Sequence, residues 1–193
     1  MRVKICGITS PEDARMAEEA GADAIGVVVF SPSPRRVDPG QVPAIFEAAP
    51  SLTRCCVAHV PTPDEIKAMC SLRPDAIQVS CTVPMPGDRC AQVIRSIRQG
   101  DPIPADADAL VLDASQGRGH LYDPVYAASV VRSTATPVFL AGGLSPGNVR
   151  DAIAAVHPYG VDVATGVEYA PGRKDARKVQ AFVKNARGGM IYD

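Results

Sequence analysis

"VKICGITSPEDARMAEEAGADAIGVVVF", residues 3–30, reads as a strand, a helix and a second strand. Its two ends are nearly continuous apolar runs, as expected of strands covered on both faces. The segment between them opens with Ser10-Pro11-Glu12-Asp13, which puts a hydroxyl at the N-cap, proline at the first helical position and a carboxylate three places after the cap. Strands joined through a helix of this length run parallel, because the crossover returns the chain to the end it left.

The same alternation recurs along the chain. "AIGVVVF" precedes "DPGQVPAIFEAAP", "TRCCVAHV" precedes "TPDEIKAMCSLR", "PVFLAGGL" precedes "SPGNVRDAIAAV", and "VDVATGVE" leads on to "KDARKVQAFVKNA". Thr62-Pro63-Asp64-Glu65 repeats the cap pattern of the first helix, and Ser145-Pro146-Gly147-Asn148 is expected to begin a helix in the same way. The short loops after the strands therefore lie at the carboxyl ends, where α/β folds assemble their chemistry.

Adding "AIQVSC", "QVIRSIR" and "ALVLDAS" brings the strands to eight, which suits an α/β (β/α)8 TIM barrel spanning residues 1–193 as a single domain. Eight units of roughly 5 strand, 11 helix and 6 loop residues need about 176 residues, so little remains for insertions. The shortage is local. "TVPMPGDRCA" and "QGDPIPADAD" are proline-interrupted and too short for ordinary helices. The barrel is expected to be reduced, with the helices after strands 4 and 5 short or missing. A rival reading makes "GDRCAQVIRSIRQG" a helix and leaves seven strands. In the eight-strand reading, strand 5 carries Arg95, Ser96 and Arg98 among its apolar residues, so part of its outer wall should be exposed, under flat loops or against a second copy of the chain.

Three glycine-bearing stretches end the last three strands: "DASQGRGHLYD", "LAGGLSPGNV" and "VATGVE". Glycine there lets backbone N–H groups approach an anion, and a helix starting at Ser145 would add its positive end. Together they read as a phosphate cradle, and "ATGVEYAPGRKDA" leaves room for a short extra helix to complete it.

A net charge of −1 over 193 residues gives no basic excess for nucleic acid, and no apolar run approaches the roughly 20 residues of a membrane span. The N-terminus has no stretch of signal-peptide length, so a cytoplasmic location is expected. The six cysteines, Cys6, Cys55, Cys56, Cys70, Cys81 and Cys90, show no C-x-x-C pair. Zinc is not expected, and a reducing compartment argues against a disulfide framework.

"KICGIT", "GADAIGVVVFSPSPR", "AIQV", "LVLD", "LAGGLSPGNV", "GVDVATGVE" and "PGRKD" follow in order the landmarks of the phosphoribosylanthranilate isomerase family, which the chain resembles over nearly its whole length. The resemblance implies an Amadori rearrangement in tryptophan biosynthesis, on a small sugar-phosphate substrate and without metal or organic cofactor. It implies Cys6 as general base, Asp113 as general acid, and Arg35 facing the anthranilate carboxylate, with Arg36 beside it able to exchange roles. Gln78 and Asp162 are expected to bind substrate, and Gly117, Gly119, Gly142, Gly143, Thr165 and Gly166 to hold its phosphate. The chemistry itself asks for such a pair, an acid to open the furanose ring and a base to remove the C2 proton.

The chain also departs from the family pattern. Ser80 stands where Q-L-H-G would place histidine, "QGRGHLY" replaces a lysine-bearing phosphate loop so that Arg118 or backbone groups must substitute, and Ala164 replaces a serine. His59, His120 and His157 are scattered, and none is assigned to chemistry. A related isomerase of another aminated ribose phosphate, or a non-catalytic descendant that binds a sugar phosphate or a partner protein, is the alternative. Neither nucleic acid nor membrane is expected as a partner, and a homodimer is left open.

Overall fold

Eight parallel strands close into a barrel in sequence order, β1 (Arg2–Cys6), β2 (Ala24–Val28), β3 (Thr53–Val57), β4 (Ala76–Ser80), β5 (Gln92–Ile97), β6 (Ala109–Asp113), β7 (Val138–Ala141) and β8 (Gly160–Val163). The structure, a computed structural model, describes residues 1–80, 82–87, 89–113 and 123–188. Closure is made by β8 pairing with β1, in a register that sets Lys4 beside Asp162. Side chains alternate across each strand. Cys6, Val28, Cys55, Val57, Ala76, Ile94, Val111 and Ala141 fall in the inner cluster, whereas Val3, Ile5, Ile25, Val27, Ile77, Val79, Leu110 and Leu112 face outward into the main core under the helices.

Among the described residues six helices form that outer layer: α1 (Pro11–Glu19), α2 (Val42–Glu47), α3 (Pro63–Ser71), α4 (Pro124–Ser133), α5 (Val149–Val156) and α6 (Ala176–Arg187). The expected starts of α1 and α3 are present. The Ser10 side chain accepts from the Asp13 N–H, and Thr62 with Glu65 makes a complete capping box. Ser145 does not begin a helix. α5 starts at Val149, four residues later, because the Asn148 side chain accepts from the Ser145 N–H and donates to the Gly143 carbonyl, closing Pro146-Gly147 into a turn ahead of the helix.

Among the described residues no helix lies between β4 and β5 or between β5 and β6, as the short proline-rich segments imply, and residues 92–97 form a strand rather than the rival helix. Of the two expected covers the flat loops are the one present, and the part of the wall expected to be exposed is corrected. Val93, Arg95 and Ile97, the outward residues of β5, are all buried. Arg95 makes this possible. It donates to the Ser80 and Val83 carbonyls on one side and pairs with Asp106 on the other, so its guanidinium pins both flanking loops flat against the strand. A charge that reads as solvent-facing in the sequence instead satisfies loop carbonyls that a covering helix would have satisfied internally.

The expectation of no disulfide is also overturned, since Cys70 near the end of α3 is bonded to Cys90 just before β5. With no helix after β4, the incoming loop crosses the end of α3 and brings the two Cα atoms to 5.7 Å, within the span of a disulfide. That bond closes a loop over a sequence separation of 20, worth about 3 kcal/mol in the chain-entropy account. Reducing and alkylating it should speed amide hydrogen exchange in residues 92–97 more than in 138–141. Equal acceleration in both strands would mean that the bond does not hold the cover in place.

Candidate active site

Lys4 and Cys6 both point into the barrel, two residues apart on β1. An ammonium in that interior is opposed by burial, yet Asp162 Oδ1 lies 3.0 Å from Lys4 Nζ and outweighs it, so Lys4 keeps its proton above the usual lysine range. Both side chains are almost wholly enclosed, at 2% and 8% exposure. Removing either partner would strand a buried charge at a cost of about 3–5 kcal/mol. Gly26, the register partner of Cys6 on β2, provides the room. A Cβ there would sit 2.9 Å from Cys6 Sγ and 3.1 Å from Lys4 Nζ.

Cys6 itself is partly exposed at the carboxyl end of β1. Burial pushes its thiol up and Asp162 adds to that, while Lys4 and Lys174 pull the other way, and burial prevails. Cys55 and Cys56 on β3 are fully buried, and burial pushes the Cys56 thiol up to about 12. Asp113 ends β6 opposite Ala141, partly exposed and three strands round the ring from Cys6, so the two expected catalytic side chains stand on the same rim.

Arg35 crosses directly over Gly7. That glycine has φ +74, and a Cβ on it would lie 2.5 Å from Arg35 Cδ, so the turn needs glycine for conformation and for space. The guanidinium donates through Nε and Nη2 to Glu168 at 2.8 and 2.7 Å, and through Nη2 to Thr165 Oγ1 at 3.1 Å. One edge of the fork expected to meet a carboxylate of the substrate is thus held by a carboxylate of the protein. Arg36 beside it is exposed and takes no part in this cluster.

Glu168 belongs to a small hairpin of β9 (Glu168–Ala170) and β10 (Arg173–Lys174), which follows a single 3-10 turn at Thr165–Val167 where a short extra helix was expected. Lys174 Nζ, fully enclosed, donates to Glu168 Oε1 at 3.0 Å and to the Ala164 carbonyl at 3.1 Å. Burial pushes the Glu168 carboxyl up, but Arg35 and Lys174 outweigh it and hold it below the usual carboxylate value, while burial lowers the Lys174 ammonium against the pull of Glu168. Sequence reasoning singled out neither residue. The signal available was the opposite pair flanking Ala170-Pro171-Gly172, charges that a tight hairpin sets across from one another.

Of the expected phosphate cradle, Gly142 and Gly143 form the loop after β7, both with positive φ, and Thr165 and Gly166 follow β8. These loops meet in backbone contact, since a Cβ on Gly166 would fall 1.9 Å from the Leu144 carbonyl oxygen. Gly117, Gly119 and Arg118 lie outside the described residues. Gln78 lines the inner wall on β4. Its Nε2 donates to Ser96 Oγ at 3.0 Å, and its buried Oε1 has no partner among the described residues.

A family model described as N-(5'phosphoribosyl)anthranilate (PRA) isomerase matches residues 3–185. The chain is 46% identical over 189 residues to the N-(5'-phosphoribosyl)anthranilate isomerase of Methanoregula boonei, covering 97% of each chain. The solved phosphoribosyl anthranilate isomerase of Thermus thermophilus superposes with a TM-score of 0.83 at 36% identity, over 97% of this chain and 99% of that one. A phosphoribosyl anthranilate isomerase solved in complex with reduced 1-(o-carboxyphenylamino)-1-deoxyribulose 5-phosphate superposes with a TM-score of 0.80 at 32% identity, over 97% and 99% of the two chains.

The Glu168 cluster carries an acid-side stability signature. A carboxyl depressed in the fold contributes stability that is fully present above its unfolded value near 4.5 and is lost as pH falls through the lower folded value. Glu168→Gln should therefore lower the melting temperature at neutral pH and flatten its decline below about pH 4.5. Melting curves that stay parallel to wild type through that range would remove Glu168 from the acid transition.

Proposed function

The chain belongs to the N-(5'-phosphoribosyl)anthranilate isomerase family, and from that premise we propose how its own residues carry the reaction. The enzyme is an isomerase of tryptophan biosynthesis, converting N-(5'-phosphoribosyl)anthranilate to 1-(2-carboxyphenylamino)-1-deoxyribulose 5-phosphate by an Amadori rearrangement. Asp113 donates a proton to the furanose ring oxygen, the ring C1–O bond breaks, and the anthranilate nitrogen takes up the positive charge as an iminium. The Cys6 thiolate then removes the C2 proton, and the C–H electrons neutralise the iminium to give the enolamine. Ketonisation adds one proton at C1 and releases one from the 2-hydroxyl, so no atom or charge is gained or lost overall.

The observation that carries this reading is the placement of Cys6, a thiol open to the barrel mouth and standing over a buried Lys4–Asp162 ion pair. Asp162 acts through Lys4, to which it is bonded, rather than by touching substrate. Arg35, held by Glu168 along one edge, presents Nη1 to the anthranilate carboxylate, and the Gln78 acceptor takes a sugar hydroxyl. Backbone N–H groups of Gly143 and Gly166 receive the phosphate. No cofactor is required, since each step moves only protons between carbon, oxygen and ionisable side chains.

A phosphorylated, anionic substrate stays in the compartment where it is made, and on that ground we assign the enzyme to the cytoplasm. The Cys70–Cys90 bond is the one feature at odds with a reducing environment. A homodimer would have to pair through a face other than β5, whose outward residues the chain buries for itself.

Each proton transfer is worth about 10²–10⁴-fold in rate, so Cys6→Ala and Asp113→Asn should each lower kcat at least about a hundredfold, with product-analogue affinity changed by only a few-fold. Near-normal turnover in either variant would take that residue out of the mechanism. A crystal grown with inorganic phosphate should hold the anion against the N–H groups of Gly143 and Gly166. An anion bound instead at the amino-terminal rim of the barrel would refute the cradle.

A further inference from the structure

We propose that Lys4 is a positioning residue for the reaction, its ammonium holding the Cys6 sulfur toward the barrel mouth and favouring the thiolate that removes the C2 proton, an inference that rests on Cys6 being the base. Three observations of geometry converge on it. Lys4 Nζ and Cys6 Sγ occupy the same small space, the slot over Gly26 that any side chain on β2 would fill. An ammonium has three donors, and among the described residues the oxygen acceptor on Lys4 is Asp162 Oδ1, at 3.0 Å. The remaining N–H bonds have the Gly26 slot, which the Cys6 sulfur also borders, to point into.

The third observation is where the pair stands, at the seam between β1 and β8, two residues before Cys6 and on the same face of β1. Ala76, Val111 and Ala141 belong to the apolar part of the interior, and a buried ion pair gives no reliable stability advantage over apolar residues of similar volume. A charge kept in such a place calls for a use. Of the two thiols adjoining the slot, Cys55 on β3 is fully buried and its Sγ lies 3.6 Å from the Cys56 carbonyl oxygen, so Cys6 is the one that substrate can reach.

The charged and titratable groups facing Cys6 are Lys4 from its own strand, Asp162 from β8, Cys55 from β3, Lys174 from β10 and Arg35 from the loop after β2. Lys174 and Arg35 are both matched by Glu168. Lys4 exerts the largest pull toward the thiolate and Asp162 a smaller opposing one, which is the order expected when the cation lies nearer the sulfur than its own counter-ion does.

The test is the rate of Cys6 alkylation by iodoacetamide as a function of pH, read by mass spectrometry of the peptide containing Cys6, on the intact protein without substrate. In Lys4→Gln the thiolate fraction should fall, so alkylation at pH 8 should slow at least about tenfold and its midpoint should move to higher pH, while Lys4→Arg recovers part of the rate. The rise of kcat with pH should shift by the same amount as the alkylation midpoint, with KM changed less than about threefold. If Lys4→Gln fails to fold because Asp162 is left unmatched, Lys4→Gln with Asp162→Asn removes both charges and should show the same direction of shift. A Cys6 profile that overlays wild type in the folded variant would overturn the proposal and leave Lys4 a purely structural residue. The reading of Cys6 as base fails separately, through a Cys6→Ala enzyme that still turns over, while the alkylation profile continues to report what Lys4 does to the thiol.

Discussion

A lysine ammonium among apolar side chains must be matched or moved, and Asp162 of β8 matches that of Lys4 on β1 across 3.0 Å at the seam where the barrel closes. The pairing fixes which residues face inward on both strands, because a slip of one position would turn Lys4 and Asp162 into the outer core and Val3 and Ile5 into the interior. With Lys4 inward, Cys6 is inward too, one step nearer the carboxyl end. Gly26 follows from the same constraint, since two side chains ending at one point on the inner wall leave no room for a third. Seam, slot and thiol are therefore one arrangement, readable in the alternation of "VKIC" and "VDV".

Above that seam a second charged cluster organises the mouth. Glu168 gathers Arg35 from the loop after β2 and Lys174 from β10, and Thr165 joins through the Arg35 guanidinium. Loops from distant parts of the chain are thereby tied to one carboxylate, and Arg35 is held in a single orientation before any ligand arrives. Pre-ordering of this kind removes an entropic cost from binding, the advantage of putting a rigid fork rather than a free arginine opposite a carboxylate. On the far side of the barrel, Arg95 plays an analogous part in stability by satisfying the loops that stand in for two missing helices.

Much of this was legible in the sequence, for identifiable reasons. Apolar runs with prolines at helix starts gave the strand order, and the positions of Cys6 and Asp113 at strand ends, together with the family resemblance, gave the candidate acid and base. The misreadings share a cause, since each depended on where a loop travels. Ser145-Pro146 has the pattern of a helix start, and only the Asn148 side chain, closing the turn ahead of α5, sets the start four residues later. Arg95 looked solvent-facing because its partners, two carbonyls and Asp106, lie on segments without periodic pattern. Cys70 and Cys90 carry no spacing signal and meet where the described residues after β4 form no helix. Glu168 and Lys174 lie in "ATGVEYAPGRKDA", which reads as room for a short extra helix and not as the hairpin that pairs them.

The proposed mechanism rests on one chemical event, removal of the substrate's C2 proton by Cys6 at the end of β1. Single-turnover kinetics with N-(5'-phosphoribosyl)anthranilate deuterated at ribose C2 address it most directly. Wild-type enzyme should convert the deuterated substrate measurably more slowly than the protonated one, and Cys6→Ala should be slowed by at least about a hundredfold with either substrate. A Cys6→Ala enzyme that turns over at the wild-type rate and retains the wild-type isotope effect would contradict the account, because the proton would then be leaving to another base.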